Sequence, residues 1–500
     1  MATQALARIP GPSTYPLIGN LYQYNNWVGP FNKFKYHEAL QSLYRTYGPV
    51  VKQSIGGRVI VHVFEPSDIQ CVYSQEGKWP LVPPLQETTQ MYRQQKQMSL
   101  GLGNTNGAEW YRLRANSQQK MLRPKEVQFH LPVVNQIAQD LALRINRIRY
   151  TTSEVNDLRL EIGRWSLENA AALVFDHRLG CLASNTDDEE FGRQMVEANA
   201  SIFKLSGLLK LSMPFYKYAS TPKWRQLVRA EDFFYSKAIQ LVDDALLRLK
   251  DAIEGATLRE DVTVICLSLF SDGLSTTTPT LLFNLYALAT NRPAQDKLYE
   301  EINSIVGKSE AVTEEHISKM VFLKAFVKET FRQVVQVSSE PYLLCNRFFL
   351  GFAFRLWPNG TEVSRYTEED MELSGYHIPA GTHVDLNPLV HFRDSRWFPN
   401  PSAHLPERWL RISEDRKDSN LVHPYLLTPF GHGTRMCAGR RFAEQDLYVV
   451  LATLLRRFIL SYPVGEDMDQ IYHTLLFPDR PVRVKFLDRS QSKSMNKDIK

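Results

Sequence analysis

The sequence predicts a mainly α-helical protein with a small β region. Apolar residues recur at intervals of three and four between residues 128 and 253, which is the spacing of amphipathic helices. A strongly apolar segment at residues 442–458 predicts another helix. The β prediction rests on residues 50–64, where a run rich in β-branched residues is interrupted by Gly56-Gly57, the pattern of a β-hairpin.

The composition is that of a soluble enzyme with a large core. The chain has 500 residues, of which 43% are hydrophobic and 23% charged. Length alone would suggest about three domains. The net charge of +5 is compatible with an acidic partner without identifying one, and no nucleic-acid partner is expected.

The cysteine pattern argues against a disulfide framework. The five cysteines show no Cys-x-x-C spacing, which indicates a reducing compartment. Four of them are interpreted as buried structural residues: Cys71, Cys181, Cys266 and Cys345. Cys437 differs because glycines bracket it in a loop ahead of a predicted helix.

The segment 429–440 has the residue types that a haem-thiolate site requires. Gly431 and Gly433 let the backbone approach a flat macrocycle closely, and Arg435 suits a propionate group. The Cys437 sulfur, placed at the start of a helix, is positioned to accept amide hydrogen bonds and to bind iron as a thiolate.

The pattern Phe-Gly-x-Gly-x-Arg-x-Cys-x-Gly, from Phe430 to Gly439, resembles the haem-binding loop of the cytochrome P-450 family. The resemblance covers about residues 9–487 and implies one large, mostly helical domain with a small sheet region. It also implies haem b with Cys437 as the axial ligand. Residues 1–8 are then an amino-terminal remnant, and residues 488–500 a disordered tail.

Further motifs follow in the order of the family. Trp110 and Arg114 lie four residues apart on one helix face and match the family's Trp-x-x-x-Arg pair, whose role is to bind a haem propionate. Arg365 resembles a further propionate-binding residue. With Phe430, Arg435 and Gly439, these residues form the cofactor-binding set that the resemblance implies.

A structural ion network is expected behind the cysteine loop. Glu329 and Arg332 match the Glu-x-x-Arg motif of the family, and Arg408 lies in the later Pro-Glu-Arg-aromatic element. Taken alone, a charge pair three residues apart is an exposed helix pair of small energy. The resemblance instead implies that all three charges meet in the interior.

The predicted oxygen-activating helix, from about residue 261 to 291, departs from the family pattern at one position. Thr276 occupies the hydroxyl position that, by resemblance, binds oxygen and helps deliver protons to it. Ser275 stands where an acid is usual, and Asp272 lies three residues before it. Either Asp272 supplies the proton through water, or Ser275 passes it along a chain of hydroxyls.

Basic residues indicate the electron donor. Lys324 and Lys328 lie four residues apart before the Glu-x-x-Arg motif, and Arg440 and Arg441 follow the cysteine. Both features resemble the mitochondrial clan of animals, in which such residues bind an acidic two-iron, two-sulfur ferredoxin that a reductase supplies with electrons from NADPH. A solvated lysine pair is the alternative for Lys324 and Lys328.

The resemblance places the protein at the matrix side of the mitochondrial inner membrane. Residues 1–9 contain no apolar run of about twenty residues, and a complete transit peptide is not recognised there. A peripheral membrane contact is predicted at residues 202–218, where Lys204 and Lys210 are expected to extend from an apolar surface into water.

Residues 333–355 depart from the family. In the family, Leu-x-Pro follows the Glu-x-x-Arg motif directly, whereas here Leu356-Trp357-Pro358 comes about 23 residues later. The intervening segment is apolar, unlike a surface loop. It is interpreted as a translated intron that the natural protein lacks. If the natural protein does contain the segment, it is expected to disturb the haem framework.

The predicted activity is O2-dependent hydroxylation of a lipophilic molecule, either a steroid or a foreign compound, by an insect-like member of the clan. By position in the fold, a mostly apolar substrate pocket is predicted to be lined by Leu269, Phe270 and Leu274 on the oxygen-activating helix, by Val363 and Ser364, and by the loop at residues 82–102. Two alternatives remain: a peroxide-rearranging haem-thiolate isomerase, suggested by the missing acid before Thr276, and an inactive haem binder produced by the insert.

Overall fold

Helices account for most of the computed structural model, which describes residues 2–25, 27–149, 151–248, 256–307, 311–333, 362–410, 422–463 and 467–489. The prediction of a mainly helical protein is confirmed. The helices are α1 (Ala2–Ala7), α2 (Tyr36–Tyr47), α3 (Pro66–Ser74), α4 (Glu87–Gln95), α5 (Gly107–Met121), α6 (Pro124–Phe129), α7 (Leu131–Ile148), α8 (Arg159–Phe175), α9 (Thr186–Lys210), α10 (Pro222–Arg248), α11 (Ala256–Thr290), α12 (Arg292–Ile305), α13 (Glu314–Lys319), α14 (Val321–Arg332) and α15 (Arg440–Arg457).

The β region consists of small sheets. Its strands are β1 (Val50–Ile55), β2 (Arg58–Val63), β3 (Glu154–Val155), β4 (Val363–Tyr366), β5 (Met371–Leu373), β6 (Tyr376–Ile378), β7 (His383–Leu386), β8 (Phe458–Ser461), β9 (Gln470–His473), β10 (Leu475–Pro478) and β11 (Val484–Asp488). The largest sheet has the order β1-β2-β7-β4, and a second has the order β3-β11-β8. The pairs β5-β6 and β9-β10 complete the set.

The predicted hairpin is confirmed as β1 and β2. These strands pair antiparallel, with Val50 opposite Val63 and Ile55 opposite Arg58. The turn between them has positive φ at both Gly56 (61°) and Gly57 (83°). Two-residue hairpin turns of this conformation match the twist of the strands and favour glycine. The Gly56-Gly57 dipeptide therefore predicts the hairpin correctly.

Helix α11 passes through the middle of the fold and carries the predicted oxygen-activating segment. It continues through Pro279 and packs mainly against α8. Phe270 and Leu274 are 0% and 2% exposed and belong to an apolar core shared with α10. The prediction that these two side chains line a substrate pocket was therefore wrong, because they pack against neighbouring helices.

Two predicted segments lie largely outside the described residues. Of the predicted insert at 333–355, only Gln333 is described, and it is the C-cap residue that follows α14. Of the predicted tail, only residues 488 and 489 are described. Within the described ranges, no helix is both long and apolar enough to cross a membrane.

Candidate functional site

The loop before α15 presents Cys437 on a tightly folded backbone. Gly431 and Gly433 adopt φ values of 69° and 74°, and the Cys437 amide donates a 2.8 Å hydrogen bond to the carbonyl of Phe430. A Cβ atom at Gly433 would lie 2.6 Å from a carboxylate oxygen of Glu76. The predicted need for glycine here therefore has two causes, backbone conformation and close packing.

The Cys437 thiol is exposed although protein surrounds it, which indicates an internal cavity beside it. Its side chain is exposed, yet enough protein surrounds it that burial raises its pKa. Amide groups of Gly439 and Arg440 act in the opposite direction by donating hydrogen bonds to the sulfur. These amides at the start of α15 would stabilise a thiolate, which is the form that binds iron.

Three guanidinium groups gather beside this loop. Arg114 and Arg365 are 6% and 5% exposed, and Arg435 is half-buried. Burial, followed by repulsion from Arg365 and Arg114, lowers the pKa of Arg435 to about 9. Such a concentration of buried positive charge is unfavourable without anions, so the cluster fits a group with two carboxylates, as haem has in its propionates.

The protein contacts of these arginines differ. Arg114 donates a 2.6 Å hydrogen bond to the carbonyl of Met436, which joins α5 to the cysteine loop. The Arg435 guanidinium stacks 3.9 Å from the ring centre of the buried Trp110. Arg365 forms a 2.6 Å ion pair with Glu76, a residue that no motif in the sequence singled out.

Helix α11 also has exposed side chains in the interior. Asp272 and Thr276 both have exposed side chains one helical turn apart, on a helix that is otherwise mostly buried. Burial among surrounding protein raises the pKa of the Asp272 carboxyl to about 6, with Arg93 opposing the rise. Asp272 also raises the pKa of Cys437 electrostatically, so the two side chains lie close enough to interact.

Ser275 is placed differently from Asp272. It is 3% exposed, and its hydroxyl donates a 3.2 Å hydrogen bond to the Asp272 carbonyl. The Thr276 hydroxyl bonds to the same carbonyl at 2.8 Å but remains at the cavity. The structure thus brings Asp272 and Thr276 to the site and directs Ser275 towards the helix backbone.

The structure brings Glu329, Arg332 and Arg408 together in the interior. Arg332, which is 0% exposed, binds Glu329 through Nη2 at 2.6 Å and Nε at 2.9 Å. Arg408 Nε reaches the same carboxylate at 3.2 Å. Further donors are Trp409 Nε1 at 2.8 Å and the Leu405 amide at 3.0 Å, so the charge of Glu329 is well satisfied.

The network holds the segments around the cysteine loop. Arg332 also donates to the carbonyls of Phe392 (2.8 Å) and Pro401 (3.0 Å), which lie in the chain before the loop. Phe331, the residue before Arg332, packs its ring edge-on against Phe430 with a centroid distance of 5.6 Å. Glu329 and Arg332 are therefore positioned to stabilise the loop that carries Cys437.

The predicted redox-partner residues lie on α14 and at the start of α15. Lys328, Arg440 and Arg441 are exposed, and Lys324 is half-buried. Burial, followed by repulsion from Arg440, lowers the pKa of Lys328, so the two helices present their positive charges near one another. Lys328 also lies 4.2 Å from the ring centre of Trp409.

A model of the family described as "Cytochrome P450" matches residues 9–340 and 353–486. The chain belongs to this family. A protein named probable cytochrome P450 CYP44, from Caenorhabditis elegans, is 40% identical over 95% of this chain and 92% of its own length. Cytochrome P450 10 of Lymnaea stagnalis is 31% identical over 97% of the chain and 86% of its own length.

The protein is a haem-thiolate monooxygenase of the cytochrome P450 family. Another relative, the mitochondrial sterol 26-hydroxylase of Rattus norvegicus, is 26% identical over 97% of the chain and 89% of its own length. Family membership and the geometry agree on the cofactor. The exposed Cys437 thiol and the cationic cluster of Arg114, Arg365 and Arg435 would hold haem by its iron and its propionates.

Proposed function

We propose that this P450 hydroxylates a lipophilic substrate, a steroid or a foreign compound, with electrons from NADPH that arrive through a reductase and a two-iron, two-sulfur ferredoxin. Bound haem supplies oxygen activation, in which one atom of O2 enters the substrate and the other is reduced to water. The observation that supports the proposal is the exposure of the Cys437, Asp272 and Thr276 side chains, together with the electrostatic interaction between Asp272 and Cys437.

We assign the proton-delivering role to Asp272 rather than to Ser275. The Asp272 carboxyl borders the cavity, and its pKa of about 6 lets it exchange protons near neutral pH. Ser275 donates its hydroxyl hydrogen to a helix carbonyl and is buried. Thr276, at the cavity beside Asp272, orients the groups between which the proton moves.

Replacing Asp272 with asparagine is expected to lower kcat about 100-fold, because the amide has no carboxyl proton to give. In the unchanged enzyme the protonated fraction falls as pH rises above about 6, so kcat should decline from pH 6 to 8. That decline should be absent in Asp272→Asn. Steady-state kinetics across this range, with haem content measured, tests both points, and a large loss in Ser275→Ala instead would favour the hydroxyl chain.

The ferredoxin partner is supported by the basic surface of α14 and α15. Lys328, Arg440 and Arg441 are exposed there, and α15 begins directly after the cysteine loop. A negatively charged protein bound to this surface would lie on the cysteine side of the site. Complementary charge mainly raises the rate of encounter and makes it sensitive to salt.

The Arg441→Gln variant is expected to raise the KM for ferredoxin about threefold at low ionic strength, because one attractive charge is removed. The effect should shrink as salt is added. Arg229→Gln is the matched control, since Arg229 is an exposed arginine on α10, away from this surface. An equal rise in the KM for ferredoxin in both variants would contradict the proposal that ferredoxin binds the surface of α14 and α15.

Location at the inner mitochondrial membrane is supported by relatives and by exposed apolar residues. Several relatives carry "mitochondrial" in their names, including the sterol 26-hydroxylase. After α9, Phe215 and Tyr218 are 63% and 87% exposed, as expected of a segment that enters a bilayer face. We propose that this segment makes the peripheral membrane contact.

Ferredoxin-dependent turnover separates the monooxygenase from the isomerase alternative. An isomerase rearranges its peroxide substrate without external electrons, whereas a monooxygenase consumes NADPH and O2. The isomerase reading rested on the missing acid at position 275, and the carboxyl of Asp272 at the cavity removes that support. Product formed without reductase and ferredoxin would overturn the proposal.

A further inference from the structure

A buried carboxylate lies beside the cationic cluster of Arg114, Arg365 and Arg435. It belongs to Glu76, whose side chain is 8% exposed. Its Oε1 accepts a 2.6 Å charge-assisted hydrogen bond from Nε of Arg365. Burial raises the pKa of Glu76, and Arg365 and Arg435 oppose that rise. Neither the proposed proton delivery nor the proposed ferredoxin surface gives this carboxylate a role.

The turn after α3 and the cysteine loop fix the position of Glu76. Its amide donates a 3.4 Å hydrogen bond to the carbonyl of Tyr73, near the end of α3. The second carboxylate oxygen, Oε2, packs against Gly433, where a Cβ atom would lie 2.6 Å from it. Arg365 stacks on the Tyr73 ring, with its Cζ atom 5.5 Å from the ring centre. The carboxylate is therefore held between β4, which carries Arg365, and the cysteine loop.

The ion pair leaves one edge of the Arg365 guanidinium for a ligand. Nε binds Glu76, and Nη1 donates a 2.9 Å hydrogen bond to the carbonyl of Ser364. Among the described residues, Nη2 has no hydrogen-bond partner, and it is not one of the fully enclosed atoms without a partner. A guanidinium held on one edge can present another edge to a carboxylate. Glu76 therefore limits the rotation of Arg365 and leaves Nη2 for a haem propionate.

Glu76 also changes the charge beside the cofactor. The three arginines carry three positive charges, and this carboxylate lowers the total to two, which matches the two propionates of haem. Oε2 of Glu76 is buried and has no hydrogen-bond partner in the described part of the chain, so its charge is less compensated than that of Glu329. Such a charge acts more strongly in a buried site than in water, because the surroundings screen it less.

We propose that Glu76 is a positioning residue that orients Arg365 towards a haem propionate and lowers the reduction potential of the haem. This inference deepens the proposed function and rests on it for the haem and for the electrons. Each electron leaves reduced ferredoxin and enters the haem iron, which makes the site one unit more negative. The buried charge of Glu76 opposes that change. Glu76 thereby affects how readily the haem accepts an electron.

Spectroelectrochemical titration of the purified holoenzymes measures the effect of Glu76→Gln. The amide oxygen of glutamine can still accept the hydrogen bond of Arg365, whereas the negative charge is gone. Reduction by a reference mediator is expected to become about tenfold more favourable, which is a rise of about 59 mV for a one-electron couple, with haem content unchanged. If Glu76 had only a packing role, the potential of the bound haem would stay the same, and that result would overturn the inference.

Glu76→Asp separates the position of the carboxylate from its charge, and it remains decisive if Glu76→Gln fails to fold. The shorter side chain keeps the charge but does not reach Nε of Arg365. Haem transfer to excess apomyoglobin is therefore expected to be about fivefold faster, with the reduction potential close to that of the unchanged enzyme. An unchanged transfer rate, or a potential as high as that expected of Glu76→Gln, would contradict the proposed role.

Glu368→Gln is the matched control. Glu368 acts electrostatically on Glu76, but its side chain is exposed and accepts a 3.2 Å hydrogen bond from the Gly77 amide. Water and salt screen an exposed charge, so the potential and the transfer rate should both stay unchanged. An equal rise in potential in Glu368→Gln would overturn the special role of Glu76. Unchanged potentials with normal ferredoxin-dependent oxidation would overturn only this role, and not the proposed function.

Discussion

The Glu329→Ala variant is expected to fold without retaining haem. Removing this carboxylate leaves Arg332 buried with no counter-charge, and Trp409 Nε1 and the Leu405 amide lose their acceptor. Breaking a buried, hydrogen-bonded ion network typically costs about 3–5 kcal/mol. Because Phe331 packs on Phe430, the loss should spread to the cysteine loop.

Haem content per protein and the thermal unfolding midpoint are the measurements for Glu329→Ala. Glu407→Ala is the matched control, since Glu407 lies in the same region but pairs with the exposed Lys297 at the surface. Surface pairs contribute little, so this control should keep its haem. Normal haem content in Glu329→Ala would show that the network does not support the loop.

The Cys437→Ser variant is expected to lose the spectral signature of thiolate ligation and all ferredoxin-dependent turnover. A serine hydroxyl accepts the amide hydrogen bonds of Gly439 and Arg440 but does not ionise to give a soft, electron-rich ligand. The reduced, carbon-monoxide-bound protein should therefore lack the strongly red-shifted absorption band.

Cys71→Ser is the control for this substitution. Cys71 is a free, partly exposed cysteine on α3, and the protein should keep both the band and turnover when it is replaced. Difference spectra of equal amounts of the two variants make the comparison direct. If Cys437→Ser kept the red-shifted band, the assignment of the ligand would have to be abandoned.

The features that the sequence predicts correctly are those encoded by short motifs, such as the hairpin turn and the ion network. The Gly56-Gly57 turn needs positive φ at both residues, so the hairpin followed from the dipeptide and its β-branched flanks. The resemblance of both motifs to the family predicts that Glu329, Arg332 and Arg408 meet in the interior, although neither motif alone indicates burial. The Trp409 contact, from the aromatic position of the same element, was not predicted.

Contacts between distant segments could not be read from the sequence. Lys210 was expected at a membrane-facing surface, but its ammonium pairs with Glu362, which lies 152 residues away. The sequence around Lys210 is that of an amphipathic helix in either case, and only the fold brings a carboxylate to it. Glu76 was missed for the same reason, since its partner Arg365 is 289 residues away.

The sequence alone does not decide whether Asp272 or Ser275 borders the site. Both lie on α11 near Thr276, and the sequence left open which one serves the site. Helix geometry makes the difference: Ser275 turns inward against the helix packing, while Asp272 shares the cavity with Thr276. In the proposed function, Asp272 takes the role of the acid that the family places directly before the threonine.

The crowding of Arg114, Arg365 and Arg435 affects how stable the protein is before its cofactor binds. Their mutual repulsion is relieved when an anionic cofactor binds, so binding adds directly to the free energy of the native state. Newly made chains that meet no porphyrin are expected to be less stable and more open to quality-control proteases. The abundance of this enzyme should therefore follow the supply of its cofactor.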